Sequence, residues 1–261
     1  MKTIPEIICC PKCGSALRTD ELNGKSTVLV CENCKTDFLN NNGFTEFIKD
    51  EEVFKFSKRV EFIRAINAKY YTPITNMMFI VCGGVKKARR EVLEQLEIKA
   101  GDKILETGIG PGDNMIYLNG LMDKIQYYGL DNQTCMVKAC ESNLRKWHFN
   151  AYLCRANAEN LPFIDNSFDV VFHLGAINIF EDKQKAITEM IRVAKPGTKI
   201  VIADETEKAS KLFAIFTGKQ DPVVPPFDLV PKTMQELEMK TIWKGYGYLI
   251  TFRKPVFQVV H

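Results

Sequence analysis

Four cysteines form two pairs whose spacing suits a metal ion, Cys10 with Cys13 and Cys31 with Cys34. Each pair has the pattern C-x-x-C, and the 17 residues between the pairs are typical of a four-thiolate zinc site. A tight turn lets both sulfurs of a pair face one ion, and tetrahedral Zn²⁺ binds two such pairs. Four thiolates leave no open coordination position, so we expect the zinc to stabilise the fold without taking part in catalysis.

A second candidate site is the run ETGIGPG at residues 106–112, which follows an apolar, β-prone segment. Glycines after a predicted strand let the main chain turn sharply and lie against a ligand. The spacing G-x-G-x-G is shorter than the G-x-G-x-x-G of dinucleotide-binding loops. Asp131 ends the next predicted strand, 23 residues after Gly108, where a carboxylate can bind both ribose hydroxyls. The pattern therefore favours a nucleoside over a pyrophosphate.

The elements that must position these residues are visible in the hydrophobic pattern after residue 102. Apolar, β-prone segments alternate with segments of helical period, which predicts a parallel sheet with helices on both faces. In such a sheet, ligands bind at the carboxyl ends of the strands. The predicted strands lie near 103–107, 125–130, 150–154, 168–174, 198–203, 236–240 and 247–253, and the predicted helices near 113–121, 133–147 and 181–194.

Composition and charge narrow the class of protein. With 46% hydrophobic and 26% charged residues, the chain has the composition of a globular protein. Its net charge of +3 is not the basic excess typical of nucleic-acid-binding proteins, and we interpret the basic cluster at 86–90 as the solvated face of a helix. No apolar run approaches the ~20 residues of a membrane span, and the N-terminus lacks the pattern of a signal peptide. We therefore expect a cytoplasmic protein with reduced cysteines.

Three segments together resemble one protein family. Residues 106–112 are similar to motif I of the class I S-adenosylmethionine-dependent methyltransferases. The segments NAENLPFIDNSFDVV at 157–171 and EMIRVAKPG at 189–197 are similar to two further motifs of the subgroup that includes the ubiquinone/menaquinone-type methyltransferases. The three segments occur in the expected order, so the chain resembles this subgroup with an added N-terminal four-cysteine zinc ribbon.

The resemblance implies an α/β fold with a doubly wound, mostly parallel, seven-stranded Rossmann-like sheet. Three regions are expected: a zinc-ribbon module at 1–48, a helical lid on the substrate side at 49–98, and an S-adenosylmethionine-binding domain at 99–261. The lid also follows from the helical period of the apolar residues between 53 and 96.

The resemblance also implies which residues bind S-adenosyl-L-methionine. The residues expected at its methionine end are Glu106, Gly108, Gly110 and Gly112. Asp131 is expected to bind the ribose, with Asn132 beside it, although Asp131 could instead cap a helix. Asn157 stands where the family often has an aspartate that accepts a hydrogen bond from the adenine amino group, although it could serve only a turn. Ala158 is expected to donate its backbone N–H.

Candidates near the transferred methyl group are fewer, because methyl transfer from a sulfonium depends mainly on orientation. A general base is needed only when the acceptor must lose a proton. His173 is a candidate base and cofactor contact, but a core histidine bonded to the backbone is the favoured alternative. Tyr70 and Tyr71 stand where many relatives have an aromatic residue near the cofactor, and they could equally belong to the core. The insert 213–231, with four prolines, is predicted to cover an apolar acceptor pocket that includes residues 77–80.

The sequence supports two enzymatic hypotheses and one non-enzymatic hypothesis. The favoured function is methyl transfer to a small, apolar metabolite. The alternative is an rRNA base N-methyltransferase, because one group of guanine-N1 rRNA methyltransferases also joins a zinc ribbon to this fold. The ribbon of that group usually mixes cysteine with histidine, whereas this one has only cysteines. The third hypothesis, a zinc-ribbon interaction protein with an inactive methyltransferase fold, conflicts with the intact glycine run and Asp131. Neither the acceptor atom nor the oligomeric state follows from the sequence.

Overall fold

The fold is built around one mixed sheet of eleven strands. It is seen in a computed structural model that describes residues 4–22, 26–40, 43–49, 73, 76–77, 79–118, 120–217 and 222–256. The strands are β1 (Leu17–Leu22), β2 (Ser26–Cys31), β3 (Asp37–Asn40), β4 (Phe44–Glu46), β5 (Lys103–Thr107), β6 (Gln126–Asp131), β7 (Tyr152–Arg155), β8 (Val170–Leu174), β9 (Lys199–Glu205), β10 (Gln235–Ile242) and β11 (Gly247–Arg253). Their order across the sheet is β1-β2-β3-β4-β7-β6-β5-β8-β9-β11-β10.

The part of the sheet from β7 to β10 contains the seven strands predicted after residue 102. Strands β7, β6, β5, β8 and β9 are parallel neighbours, and β11 lies antiparallel between β9 and β10. The expected limit of seven strands needs correction, because β4 pairs in parallel with β7. The four N-terminal strands therefore extend the same sheet.

Helices cover both faces of the sheet, as expected of a doubly wound fold. They are α1 (Val85–Leu93), α2 (Thr134–Trp147), α3 (Lys183–Val193) and α4 (Glu207–Thr217). Met190 of α3 packs in one core cluster with Leu105 of β5. Val92 of α1 and Val137 of α2 pack in a second cluster with Ile104 of β5. Neighbouring strand residues face opposite sides of a sheet, so the two clusters lie on its two faces.

Two segments differ from the sequence-based expectation. The described residues of the predicted helix near 113–121 form no helix longer than the 3₁₀ turn at Met115–Tyr117. The side chains of Asp113 and Asn114 just before this turn bind other elements instead of capping a helix. The insert 213–231 begins inside α4. Its described part from residue 222 onward packs against α3, where Leu229 accepts a hydrogen bond from Gln184 (2.9 Å). This part does not line the cavity at the candidate site.

The predicted lid at 49–98 lies largely outside the described residues. Its described part includes α1, which is fixed to the sheet domain because Trp243 Nε1 donates a hydrogen bond to the carbonyl of Ala88 (2.9 Å). Phe79 stacks edge-on against Trp243 with ring centroids 5.1 Å apart. The division of the chain at residues 48 and 98 stays a prediction. Nowhere in the described ranges is there a helix with the length and apolar character that a bilayer crossing requires.

Candidate functional site

The carboxyl ends of β5, β8 and β9 border a cavity of about 310 Å³. Residues 108–111 of the glycine loop after β5 form one side. Further lining comes from the end of β8 and the loop after it, and from the end of β9 and the start of the following helix: Leu174, Gly175, Ala176, Asn178, Ile179, Asp204, Glu205 and Ala209. Parallel strands bring their carboxyl ends to one edge of the sheet, where a ligand is expected.

The glycine loop is shaped by two different requirements. Gly108 and Gly110 line the cavity, with positive φ angles of 68° and 54°. A Cβ at Gly108 would lie 2.9 Å from Cε1 of His173, whereas a Cβ at Gly110 would enter open space. Gly108 is therefore required by packing behind the loop, and Gly110 by its backbone conformation. Gly112 does not line the cavity, and a Cβ there would lie 2.8 Å from Sγ of Cys140.

Asp131 ends β6 and is bonded to the glycine loop. Its Oδ2 accepts a hydrogen bond from the N–H of Gly110 (3.0 Å), and its Oδ1 accepts one from the N–H of Gln133 (2.9 Å). Gln133 is the N-cap of α2, so Asp131 also fixes the entrance of that helix. The half-buried carboxylate, followed by Asn132, lies on the β6 side of the loop, away from the 310 Å³ cavity. The glycine loop therefore has two sides: one at the ends of β6 and β7, where Asp131 lies, and one at the ends of β8 and β9, where the cavity lies.

Asn157 and Ala158 lie on the β6–β7 side. The N–H of Ala156 donates to the carbonyl of Asp131 (3.2 Å), which places the segment after β7 beside the end of β6. Asn157 forms a turn in which its Oδ1 accepts the N–H of Glu159 (3.2 Å) and its Nδ2 donates to that carboxylate (2.6 Å). Ala158 is buried. Asn157 therefore has the turn-forming contacts that were its alternative role, at the edge where Asp131 also lies.

Glu106 is fully buried and does not line the cavity. Its two carboxylate oxygens accept hydrogen bonds from Asn114 Nδ2 and from the Tyr127 hydroxyl, each at 2.5 Å. Burial raises the pKa of Glu106 to about 7, although both hydrogen bonds favour its ionised form. Asn114 does line the cavity. Glu106 therefore contacts the lining of the cavity through Asn114.

Arg89 is a buried cavity residue that the sequence analysis missed. Of the four basic residues in the cluster at 86–90, Arg89 alone lies on the buried face of α1, with 4% of its surface exposed. Its Nη1 donates to Oδ1 of Asn114, and its Nη2 lies 3.5 Å from a carboxylate oxygen of Asp113. Its Nε has no hydrogen-bond partner within the described part of the chain. The helical spacing from Arg89 to Val92 and Leu93 could have revealed its burial.

His173 lies behind the glycine loop and does not line the cavity. Its ring is fully buried, with Nδ1 2.7 Å from the carbonyl of Thr107 and 3.2 Å from that residue's hydroxyl. Burial lowers the pKa of His173 to about 4. These contacts match the favoured alternative of a core histidine bonded to the backbone. They do not favour a base or a direct cofactor contact.

Two adjacent carboxylates at the end of β9 line the far side of the cavity. Asp204 is held by the N–H groups of Ala176 (3.2 Å), Asn178 (2.9 Å) and Glu205 (2.8 Å), and burial raises its pKa to about 6. Glu205 has no hydrogen bond to its carboxylate from any described residue. Burial, followed by repulsion from Asp204, raises the pKa of Glu205 to about 7. The sequence analysis overlooked both.

The remaining wall of the cavity is mainly apolar. Its side chains are Phe79, Leu174, Ile179, Trp243 and Tyr246. Of residues 77–80, which were predicted to belong to this pocket, Phe79 lines the cavity, Met77 and Ile80 do not, and Met78 lies outside the described residues. Tyr70 and Tyr71, the other predicted residues near the methyl group, lie outside the described residues.

The four predicted metal ligands are close together. The sulfurs of Cys10, Cys13, Cys31 and Cys34 all lie within 4.8 Å of one another. The Cys10–Cys34 and Cys13–Cys31 sulfur distances are 3.6 Å and 3.4 Å. A tetrahedral zinc with Zn–S bonds of about 2.3 Å separates its sulfurs by about 3.8 Å, so the donor set fits this ion. In each knuckle the residue that follows the second cysteine donates its N–H to the carbonyl of the first cysteine, Gly14 to Cys10 and Lys35 to Cys31.

The comparisons with known proteins agree on one family. Residues 98–248, more than half of the chain, match the family described as Methyltransferase domain. The ubiquinone/menaquinone biosynthesis C-methyltransferase UbiE of Blochmanniella floridana is 32% identical over 162 residues, which cover 61% of this chain and 61% of that protein. The chain thus spans about three fifths of the length of this relative.

Solved structures share the fold at low sequence identity. The [4+2]-cyclase SpnF gives a TM-score of 0.59 at 16% identity, over 77% of this chain and 97% of that chain. Phosphoethanolamine N-methyltransferase 2 of Haemonchus contortus, solved with S-adenosyl-L-methionine, gives a TM-score of 0.57 at 16% identity. The match covers 73% of this chain and 59% of that chain. Because one of the two is a cyclase, the fold by itself does not fix the reaction.

Proposed function

The chain belongs to the methyltransferase domain family, and from this premise we propose that it is an S-adenosylmethionine-dependent methyltransferase that acts on a small, apolar molecule. The observation that supports this acceptor class is the apolar wall of the 310 Å³ cavity beside the glycine loop. The relative UbiE is named for C-methylation in ubiquinone and menaquinone biosynthesis, and an apolar ring compound would suit such a wall.

We place the nucleoside of the cofactor on the β6–β7 side of the glycine loop. Asp131 is the proposed ribose ligand, because its carboxylate ends β6 next to the N–H of Gly110. Asn132 lies beside it, and Asn157 with the N–H of Ala158 is proposed for the adenine. The sulfonium then lies at the loop, and the acceptor enters from the β8–β9 side.

We propose Arg89 as the partner of the cofactor's methionine carboxylate. The guanidinium lines the cavity next to the glycine loop, and its Nε is without a partner among the described residues. A buried guanidinium with unused donor capacity favours an anion at this position. Glu106 then orients Asn114 and Arg89 without contacting the cofactor.

Glu205 is a cavity carboxylate whose position suits proton removal from an acceptor. When bound, S-adenosylmethionine supplies a methyl group on a positively charged sulfur, a good leaving group. An acceptor that carries an O–H or acidic C–H must lose that proton as its new bond to carbon forms. Glu205 lines the cavity and has a pKa near 7, which suits a general base at neutral pH. Asp204 is less suited, because three backbone N–H groups already bind it.

We propose a structural role for zinc at the four cysteines. Cys10 and Cys31 are buried, and no further side chain competes for a coordination position in the described cluster. The zinc would be closed to substrate. An RNA acceptor remains the second hypothesis, but it has no support from the relatives and little from a net charge of +3.

A radiolabelled methyl donor tests the proposed function. The purified protein is incubated with the donor and with separated lipid, polar-metabolite and RNA fractions, and label transfer is counted. We expect labelling of an organic-soluble quinone or lipid product and none of RNA. Heat-denatured protein serves as the inactive control. Labelled RNA without an organic-soluble product would overturn the proposal.

A further inference from the structure

The N-terminal module contacts the proposed cofactor site through β4. This strand pairs in parallel with β7, with Phe44 opposite Leu153 and Glu46 opposite Arg155. The N–H of Phe47, just after β4, donates to the carbonyl of Arg155 (2.8 Å). The pairing therefore ends where β7 reaches the carboxyl edge of the sheet.

A chain of polar contacts continues from β4 to the end of β6. Glu46 Oε2 lies 3.4 Å from Arg155 Nη1, and the Arg155 side chain is 5% exposed. Arg155 Nε donates to the carbonyl of Asn132 (3.2 Å). Asn132 directly follows Asp131, the proposed ribose ligand. Glu46 is thus connected, through Arg155, to the main chain at Asn132, which directly follows Asp131 and its carboxylate.

A second contact joins the first metal knuckle to the adenine side. Residues 7–9 run beside residues 162–164, where the N–H of Ile164 donates to the carbonyl of Ile7 (2.9 Å) and the N–H of Cys9 to that of Pro162 (3.0 Å). Ile8 and Phe163 form an antiparallel bridge. Cys10, a proposed zinc ligand, follows at once. The segment after β7 is therefore fixed from two directions by the N-terminal module.

We infer that the four-cysteine module is part of the cofactor site, with Glu46 acting as a positioning residue for the nucleoside end. This inference rests on the proposed function, because it takes Asp131 as the ribose ligand. The ion pair holds Arg155 in the conformation that binds Asn132, and Arg155 fixes the turn from Asp131 to Gln133. A preorganised ligand binds more tightly, since less conformational entropy is lost on binding. The affinity for the methyl donor therefore depends on residues that do not touch it.

Calorimetric titration with S-adenosylhomocysteine tests the inference on the full-length, zinc-loaded protein. Glu46→Gln keeps an acceptor oxygen without the charge, and Glu46→Ala removes both. We expect the dissociation constant to rise in the order Glu, Gln, Ala, by about threefold to tenfold for Ala, a range typical of coupling through contacts that touch no ligand. The matched control is Asp20→Asn, which breaks the exposed ion pair of Arg18 with Asp20 in the same module (3.1 Å). It should leave the dissociation constant unchanged.

Hydrogen–deuterium exchange separates positioning from loss of stability. The amides of residues 131–133 should exchange faster in Glu46→Ala than in Asp20→Asn, and zinc removal by a chelator should lower S-adenosylhomocysteine affinity. Unchanged affinity in both Glu46 variants, with or without a lower melting temperature, would overturn the inference. Absence of S-adenosylhomocysteine binding in the unmodified protein would instead overturn the proposed cofactor site, and the inference with it.

Discussion

At the scale of single residues, Asp131 has a structural role in the glycine loop and a proposed role in binding the nucleoside. Its carboxylate fixes the backbone of the glycine loop through Gly110 and the start of α2 through Gln133. Each carboxylate oxygen can accept more than one hydrogen bond, so one carboxylate can serve the loop and the proposed ribose contact together. A single substitution should therefore affect both the shape of the loop and the binding of the nucleoside.

Asp131→Ala is expected to weaken cofactor binding by about 1–3 kcal/mol, because hydrogen bonds to a charged group are lost. The cofactor affinity of Asp131→Asn should lie between those of the unmodified protein and Asp131→Ala, since the amide oxygen of asparagine can still accept a hydrogen bond. The measurement is calorimetric titration with S-adenosylhomocysteine. Asp123→Ala is the matched control, because Asp123 is exposed and precedes β6 at the opposite end of the strand. Equal affinities of the Asp131 variants and the control would remove Asp131 from the ribose site.

Glu205 gives a prediction about pH. Because burial raises the pKa of Glu205 to about 7, its base form predominates above pH 7 and disappears as the pH falls. The charged and titratable groups around it are Asp204, Tyr248, Tyr246 with Lys208 above its ring, and Arg89 with Asp113 across the cavity. With the acceptor found in the labelling screen, kcat/KM should rise through pH 7.

Glu205→Gln should abolish this rise and lower the activity at pH 8 by about 10²- to 10⁴-fold, the usual contribution of general base catalysis. Glu207→Gln, on the solvated first turn of α4, is the control. A pH profile that Glu205→Gln leaves unchanged would show that the acceptor needs no base from this residue.

At the scale of elements, the end of α3 depends on a lysine from the strand end after β11. Lys254 is 9% exposed, and its Nζ donates to the carbonyls of Ile191 (2.8 Å), Arg192 (3.2 Å) and Ala194 (2.8 Å). The last carbonyls of a helix have no partner within it, so a cation here satisfies them and suits the helix dipole.

Lys254→Met should lower the free energy of unfolding by about 1–3 kcal/mol, because several buried carbonyls lose their donor. Urea unfolding at pH 7 measures the change. Lys240→Met is the control, since Lys240 forms only an exposed pair with Glu238 on β10. If both variants lose the same stability, the helix end does not depend on Lys254.

Those helices and strands that depend on a local sequence pattern could be predicted from the sequence. Hydrophobic period located the strands of the sheet after residue 102, α2 and α3, and the cysteine spacing predicted that the four cysteines cluster. Arg89 was missed because a run of basic residues was interpreted as one solvated face, whereas a helix turns one residue of such a run inward. Glu205 was missed because only packing from other strands shows which residues at strand ends face a cavity. The pairing of β4 with β7 joins distant segments, which no local pattern encodes.

At the scale of the whole molecule, the N-terminal strands protect an edge of the sheet. Without the N-terminal residues, strand β7 would lose its pairing with β4 and present unpaired backbone groups, and Phe163 would lose its bridge to Ile8. Exposed edge strands pair with other chains and promote aggregation. The two halves are therefore expected to be stable together and not apart.

Deletion of residues 1–49 should consequently give an aggregating protein with a lower melting temperature. Size-exclusion chromatography with light scattering measures the association. Cys34→Ser in the full chain is the comparison, because it weakens the metal site but keeps β4 in place, and it should associate less. A monomeric deletion variant that binds S-adenosylhomocysteine normally would contradict this expectation.

The parallel pairing of β4 with β7 also means that, during synthesis on the ribosome, β4 emerges well before the strand with which it pairs. Thr45 and Tyr152, whose hydroxyls lie 2.8 Å apart, are separated by 107 positions in the chain. At about 5–20 residues per second, the nascent β4 emerges about 5 to 20 s before its partner strand. Both C-x-x-C knuckles precede β4 in the chain and are exposed during that interval, so loading of the proposed zinc should precede assembly of the C-terminal half of the sheet.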